Sequence, residues 1–169
     1  VSPRVVLVGP MGAGKSTVGA VLADTWGVPL RDTDHDVEAT EGRSVAEIFV
    51  DSGEEHFRRL EARAVAVALR EHEGVLALGG GAVLDEGTRD ALAGHRVVFL
   101  RVGLSDAVKR VGLGTARPLL LGNVRGRIKA LLDERTPVYA AVAELTVDTD
   151  GRTPEDVAAE IDERLVALT

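Results

Sequence analysis

The chain contains no cysteine, so neither a disulfide framework nor a thiolate metal site is open to it, which fits a reducing compartment. Aromatic residues make up only 3% of the 169, so the core must be built from Val, Leu and Ala. No apolar run approaches the roughly 20 residues that a membrane-spanning helix needs. The apolar stretch near the start, "VVLV", is too short for a secretory signal core and runs straight into a glycine loop. The expectation is a cytoplasmic protein that does not engage a membrane. Basic charge is short as well: 20 Lys and Arg stand against 27 Asp and Glu, a net charge of −7. Such a chain is a poor general binder of nucleic acid, whose phosphates want Lys and Arg. An anionic ligand must instead be met by gathering a few basic residues locally. The four histidines, His35, His56, His72 and His95, are scattered, and none is assigned to a metal or to catalysis.

What is present is globular: 45% apolar and 28% charged residues, long enough for one domain with a real core. Neither a repeat nor a linker divides residues 1–169, so a single domain is expected. "VVLV" at 5–8, "VPLRD" at 28–32, "VLAL" at 75–78, "RVVFLRV" at 96–102 and "ELTVDT" at 144–149 read as strands. Helical patterns separate them. The first runs from Ser16 to a stop at Gly27. Ser44 and Glu47 form a capping box, a long helix spans about Glu54 to His72, and Ser105 is a candidate cap. A helix from about Arg125 to Arg135 is expected to stop before Pro137. A closing helix has Thr153 as cap and Pro154 at its first position. Strands alternating with helices predict a three-layer α/β/α fold around a parallel sheet of about five strands. Ligands of such sheets bind outside the carboxyl ends of the strands, and the unusual stretches all lie there. Residues 33–61 and the Gly-rich stretch 112–124 read as insertions able to move.

Gly9 to Ser16, "GPMGAGKS", fits G-x-x-x-x-G-K-[ST] between a predicted strand and a predicted helix. Glycines let backbone N–H groups turn inward onto phosphate oxygens, and the helix N-terminus adds positive charge. Lys15 then reaches the β- and γ-phosphates, and the Ser16 hydroxyl meets Mg²⁺. A Mg²⁺ site also wants a carboxylate at a neighbouring strand end; the third and fourth strands end without one, and the second ends in Asp32. Asp34, one alternation further, is expected to point the same way and to take the proton of a substrate hydroxyl. Asp36 reads as a first-turn acid favoured by the helix dipole. Alone, Asp32 and Asp34 would pass for a solvated loop; the phosphate loop makes the functional reading preferable. Arg58 has two readings that sequence leaves open: an ion-pair ladder with Glu54 and Glu61, or a pocket residue beside Phe57 and Leu60. "GGG" at 79–81 suggests close approach of a ligand to bare backbone. Arg117 has two readings as well, a solvated loop residue or a lid residue that brings charge over a transferring phosphate, and Arg135 reads as a base at a helix C-terminus.

In order, "GPMGAGKSTVG", "DTDHDVE", "GRSVAEIFVDSGEEHFRRLE", "LGGGAV", "RPLL", "ERTPVY" and "VDT" with a following "TP" resemble shikimate kinase over nearly the whole chain. The resemblance implies a P-loop fold like that of nucleoside-monophosphate kinases, with a mobile lid at about 112–124. It implies transfer of the ATP γ-phosphate to the 3-hydroxyl of shikimate. It implies that Gly12, Ala13, Gly14, Lys15, Ser16 and Thr17 hold the nucleotide phosphates, with Arg117 as the lid arginine. Ser16 and Asp32 would serve Mg²⁺. Asp34 would bind shikimate hydroxyls as the candidate base. Arg58 and Arg135 would meet its carboxylate, Gly80 would hold it, and Gly79 and Gly81 would shape that loop. Phe49 and Phe57 would line the pocket, and Glu61 would orient Arg58. Arg110 and Pro154 would flank adenine, with Arg152 nearby. ATP and shikimate are the expected partners, and nothing in the sequence demands more than a monomer. Three rivals remain at this stage: a gluconate-type kinase, a nucleotide-dependent switch, and a nucleotide-binding protein without catalysis whose acids are merely solvated. The guanine-reading N-K-x-D is absent.

Overall fold

Four consecutive apolar, mostly β-branched residues cannot leave one face to water, and Val5–Val8, strand β1, is buried on both faces at the middle of the sheet. The computed structural model describes residues 1–113 and 123–169. Strands β2 (Leu30–Asp32), β3 (Val75–Ala77), β4 (Val97–Arg101) and β5 (Leu145–Asp148) complete a five-stranded sheet in the order β2-β3-β1-β4-β5. Every pairing is parallel, with Val5 opposite Val75, and Val6 opposite Val97. The strand period of two sorts β1 between two cores. Val5 and Leu7 join the layer under helices α1 (Lys15–Trp26) and α8 (Pro154–Ala167). Val6 and Val8 join the layer under α4 (Glu54–Glu71) and the short α5 (Glu86–Leu92). Each such side chain, fully buried, is worth about 1.5–3 kcal/mol.

A third, smaller cluster holds Val37, Ile48 and Phe57 together. It joins α2 (Thr33–Glu41), α3 (Val45–Ser52) and α4 into a packed insertion beside β2. Ser44 caps α3 by accepting the Glu47 N–H at 3.1 Å. Its hydroxyl, rather than its backbone N–H, meets the Glu47 carboxylate, so only one half of the expected reciprocal box forms.

Two expectations need correction. Ser105 is not a cap: α6 (Leu104–Leu113) starts one residue earlier, its first turn closing from Ala107 onto the Gly103 carbonyl. The Asp150 carboxylate fixes that position by accepting the Gly103 N–H. Nor does the next helix stop before Pro137; α7 runs Val124–Val142 with Pro137 inside it. An interior proline costs about 3 kcal/mol. Burial of the last turn of α7 outweighs it: Tyr139 is fully enclosed against Phe99, and Val138 and Val142 pack on the same core. No described helix is long and apolar enough to cross a membrane.

Candidate active site

The turn from β1 into α1 lies at the carboxyl end of the central strand. Gly14, at φ 90°, sits just ahead of α1, and no side chain caps the helix there. Its first-turn N–H groups are thus left for an external acceptor. Gly12, Ala13 and Gly14 belong to this turn, and Lys15, Ser16 and Thr17 open α1. Lys15 bends back over the loop, its Nζ donating to the carbonyls of Gly9 (2.7 Å) and Pro10 (3.0 Å). Burial strips water from the ammonium and brings its pKa down to about 8, against the opposing pull of Asp34 and Asp32. A phosphate would replace two neutral carbonyls with the charge this ammonium lacks.

Across the loop, Ser16 Oγ donates to Asp32 Oδ2 at 3.1 Å. Among the described residues no group of three or more His or carboxylate side chains is poised to hold a metal alone. Two adjacent oxygens suit a hard cation that keeps water and phosphate ligands. Asp32 also explains Asp34, though not by strand alternation. Strand β2 ends at Asp32, whose Oδ1 accepts the Asp34 N–H at 2.8 Å and caps α2 at once. Asp34 therefore stands on the first helical turn. Burial, then the charge of Asp32, raises its pKa above the ordinary aspartate value. Asp36 shares that first turn and pairs with Arg31 at 2.7 Å.

The residues 79–81 bring the remaining groups together. A Cβ on Gly79 would lie 2.6 Å from both Asp34 Oδ1 and Glu61 Oε2. One on Gly81 would fall onto the Arg58 guanidinium, and one on Gly80 would touch Met11 N at 3.5 Å and Arg135 Nη1 at 3.9 Å. Close approach, rather than backbone conformation, thus favours glycine at 79 and 81, whereas a Cβ at 80 would meet only ordinary contacts. Glu61 is buried and accepts from Arg58 Nη1 at 2.8 Å; Glu54 pairs with the other Nη at 3.4 Å. The ion-pair reading of Arg58 holds, and the same guanidinium stands over residue 81. Its guanidinium lies 5.4 Å from the Phe57 ring centre and 5.9 Å from that of Phe49, within cation–π range. Arg135 is not at a helix end but inside α7, facing Gly80, because the helix continues past Pro137. Among the described residues, the buried Nε atoms of Arg58 and Arg135 have no hydrogen-bond partner.

On the opposite flank, Arg110 donates to the carbonyls of Gly12 (2.9 Å) and Thr149 (3.0 Å). It ties the phosphate loop to the turn after β5. Asp106, Lys109, Arg110, Gly151, Arg152 and Thr153 line an open cavity of about 370 Å³ there, with Pro154 next along the chain. Arg152 itself is held by Glu160 at 2.7 Å. Arg117 and most of the expected lid lie outside the described residues. Three contributors went unremarked in the sequence. Thr33 is fully buried and accepts the Gly79 N–H at 3.2 Å. Arg89 donates to the carbonyls of Val83 and Leu84, at 2.9 Å each. Tyr139 donates to the Gly80 carbonyl. Tyr139 sat in the motif "ERTPVY" and Thr33 in "DTDHDVE", while no local signal marked Arg89.

Comparison with known proteins identifies the family. The shikimate kinase family model matches residues 11–166. Shikimate kinase of Salinispora arenicola is 61% identical over 98% of this chain and 99% of its own length. That of Thermobifida fusca is 58% identical over 98% and 96%. The structure of the Acinetobacter baumannii shikimate kinase in complex with shikimate superposes with a TM-score of 0.93 at 33% identity, covering 100% of this chain and 95% of the other. With its family model matched over most of its length and its relatives matched end to end, the chain belongs to the shikimate kinase family.

Proposed function

We propose that this protein transfers the γ-phosphate of ATP to the 3-hydroxyl of shikimate, giving shikimate 3-phosphate and ADP on the route to the aromatic amino acids. One observation carries the reading. Asp34, Arg58 and Arg135 converge on residues 79–81, directly beside the phosphate loop. Arginines match a carboxylate and an aspartate matches neighbouring hydroxyls, the two functions that shikimate presents on one ring. The two unpartnered Nε atoms lie on the arginines assigned to that carboxylate.

In the reaction the substrate oxygen bonds to the γ-phosphorus as the bond to the β,γ-bridging oxygen breaks, and the hydroxyl proton passes to Asp34. Lys15 steadies the charge on the moving phosphoryl group. Backbone N–H groups from Gly12 to Thr17 hold the β-phosphate. Glu61 orients Arg58, while Phe49 and Phe57 wall the pocket and exclude water. Ser16 and Asp32 would hold Mg²⁺, which neutralises phosphate charge when bound. Arg110, Arg152 and Pro154 border the adenine side, and Arg117 is assigned to the γ-phosphate on its sequence motif. Little covalent chemistry falls to the protein, so positioning and charge carry the rate. Every assigned residue comes from one chain, so a monomer suffices.

The test is ADP release from Mg·ATP with shikimate, with gluconate and with neither. Release that needs shikimate supports the proposal. Release that needs gluconate, or that ignores both acceptors, overturns it.

A further inference from the structure

Helix α7 carries Arg135 and Tyr139 four residues apart, hence on one face. Arg135 faces Gly80 from one side, its Nη1 3.9 Å from where a Cβ would sit. Tyr139 lies beneath, its ring 5.1 Å from that of Phe99 on β4, and its hydroxyl donates to the Gly80 carbonyl. Among the described residues no other group donates to that carbonyl. Burial holds the phenol above its ordinary pKa, so it stays a donor at working pH.

We propose that Tyr139 is a positioning residue for the acceptor substrate, acting through the peptide between Gly80 and Gly81. The inference rests on the assignment of residues 79–81 to acceptor binding. In a trans peptide the C=O and the next N–H point in opposite directions. Pinning the Gly80 carbonyl down onto the core therefore turns the Gly81 N–H away from it. Three glycines in a row have no side chains to hold that plane, and they are the residues with most backbone freedom to lose. Gly79 is fixed by Thr33, and the turn after Gly81 by Arg89. Gly80, between them, has Tyr139. Since Phe99 belongs to the sheet, the tether references the loop to the rigid core rather than to the insertion. The same helix that presents Arg135 also sets the loop that Arg135 faces, so one element fixes both sides of the acceptor.

Tyr139→Phe keeps the ring and its packing on Phe99 and removes the hydroxyl, with both its donation to Gly80 and its contact with Arg135, so the amide signals of residues 79–81 separate the tether from an effect through Arg135. The KM for the acceptor is expected to rise about tenfold, the effect of one lost hydrogen bond. The KM for ATP and kcat should stay within about twofold, and the melting temperature should fall by only a few degrees. In the substrate-free protein, amide NMR signals of residues 79–81 should broaden or shift in the variant. An unchanged acceptor KM, or a parallel rise in the KM values of both substrates, overturns the positioning role. Unchanged amide signals overturn the tether whatever the acceptor proves to be. A wild-type enzyme inactive with shikimate strikes the functional reading instead, and the amide signals still decide the tether.

Discussion

Asp34 owes its place to its neighbour: the Asp32 carboxylate caps α2 and draws the chain into helix one residue before Asp34. That pairing also crowds two acids, which together with burial raises the Asp34 pKa. A base must be ionised to accept a proton. The acid limb of kcat/KM is therefore expected at an apparent pKa above 3.8, the ordinary aspartate value, and a limb at or below it would remove Asp34 as the titrating group. Asp34→Asn should lower kcat by roughly 10²–10⁴-fold with ATP affinity nearly kept; unchanged turnover would deny it both the base and the anchor roles. Arg58 calls for a gentler change. Arg58→Ala would strand the buried Glu61 without its partner, at a cost of about 3–5 kcal/mol, confusing fold with function. Arg58→Lys keeps the charge and loses the bidentate fork. A KM for shikimate raised about tenfold or more, with the KM for ATP unchanged, is the expected result. Equal KM values in variant and wild type would leave Arg58 an ion-pair residue alone.

At the scale of elements, the phosphate loop is poised but incompletely neutralised. The Lys15 pKa is about 8 in the free protein, mainly because its ammonium is desolvated. Triphosphate charge favours the ammonium, so nucleotide binding raises that pKa. Near pH 8.5, ATP binding should therefore take up protons, and affinity should weaken as pH climbs past 8. Calorimetry in buffers of different ionisation enthalpy measures the uptake directly, and no buffer dependence would contradict it. In α7, Pro137 leaves the Asp133 carbonyl without its helical donor. Pro137→Ala restores that donor and should raise the melting temperature; a fall would mean that the proline's stiffening of the unfolded chain matters more. Local signals made most elements legible: glycine stops, the Thr153 cap, and four apolar residues in a row for β1. They failed at Pro137 for a physical reason. The propensity signal was real, but Tyr139 and its neighbours gain more by burial than the proline costs.

At the scale of the molecule, the motifs told which residues to gather but not how they meet. Nothing in "GGG" disclosed that Gly79 separates Asp34 from Glu61, or that Gly81 lies under Arg58. Those contacts depend on the strand order β2-β3-β1-β4-β5, which sets the ends of β2 and β3 beside the phosphate loop after β1. Strand order is a tertiary property that no local pattern encodes. An acidic chain of net charge −7 thus gathers Lys15, Arg58 and Arg135 at one end of its sheet. On the proposed function, the groups there serve one hydroxyl of one ring. The most direct measurement is phosphorus–proton NMR of the product made from Mg·ATP and shikimate. A single phosphoester coupled to the proton on C3 is the expected result. Free phosphate alone, or an ester on another hydroxyl, would contradict it.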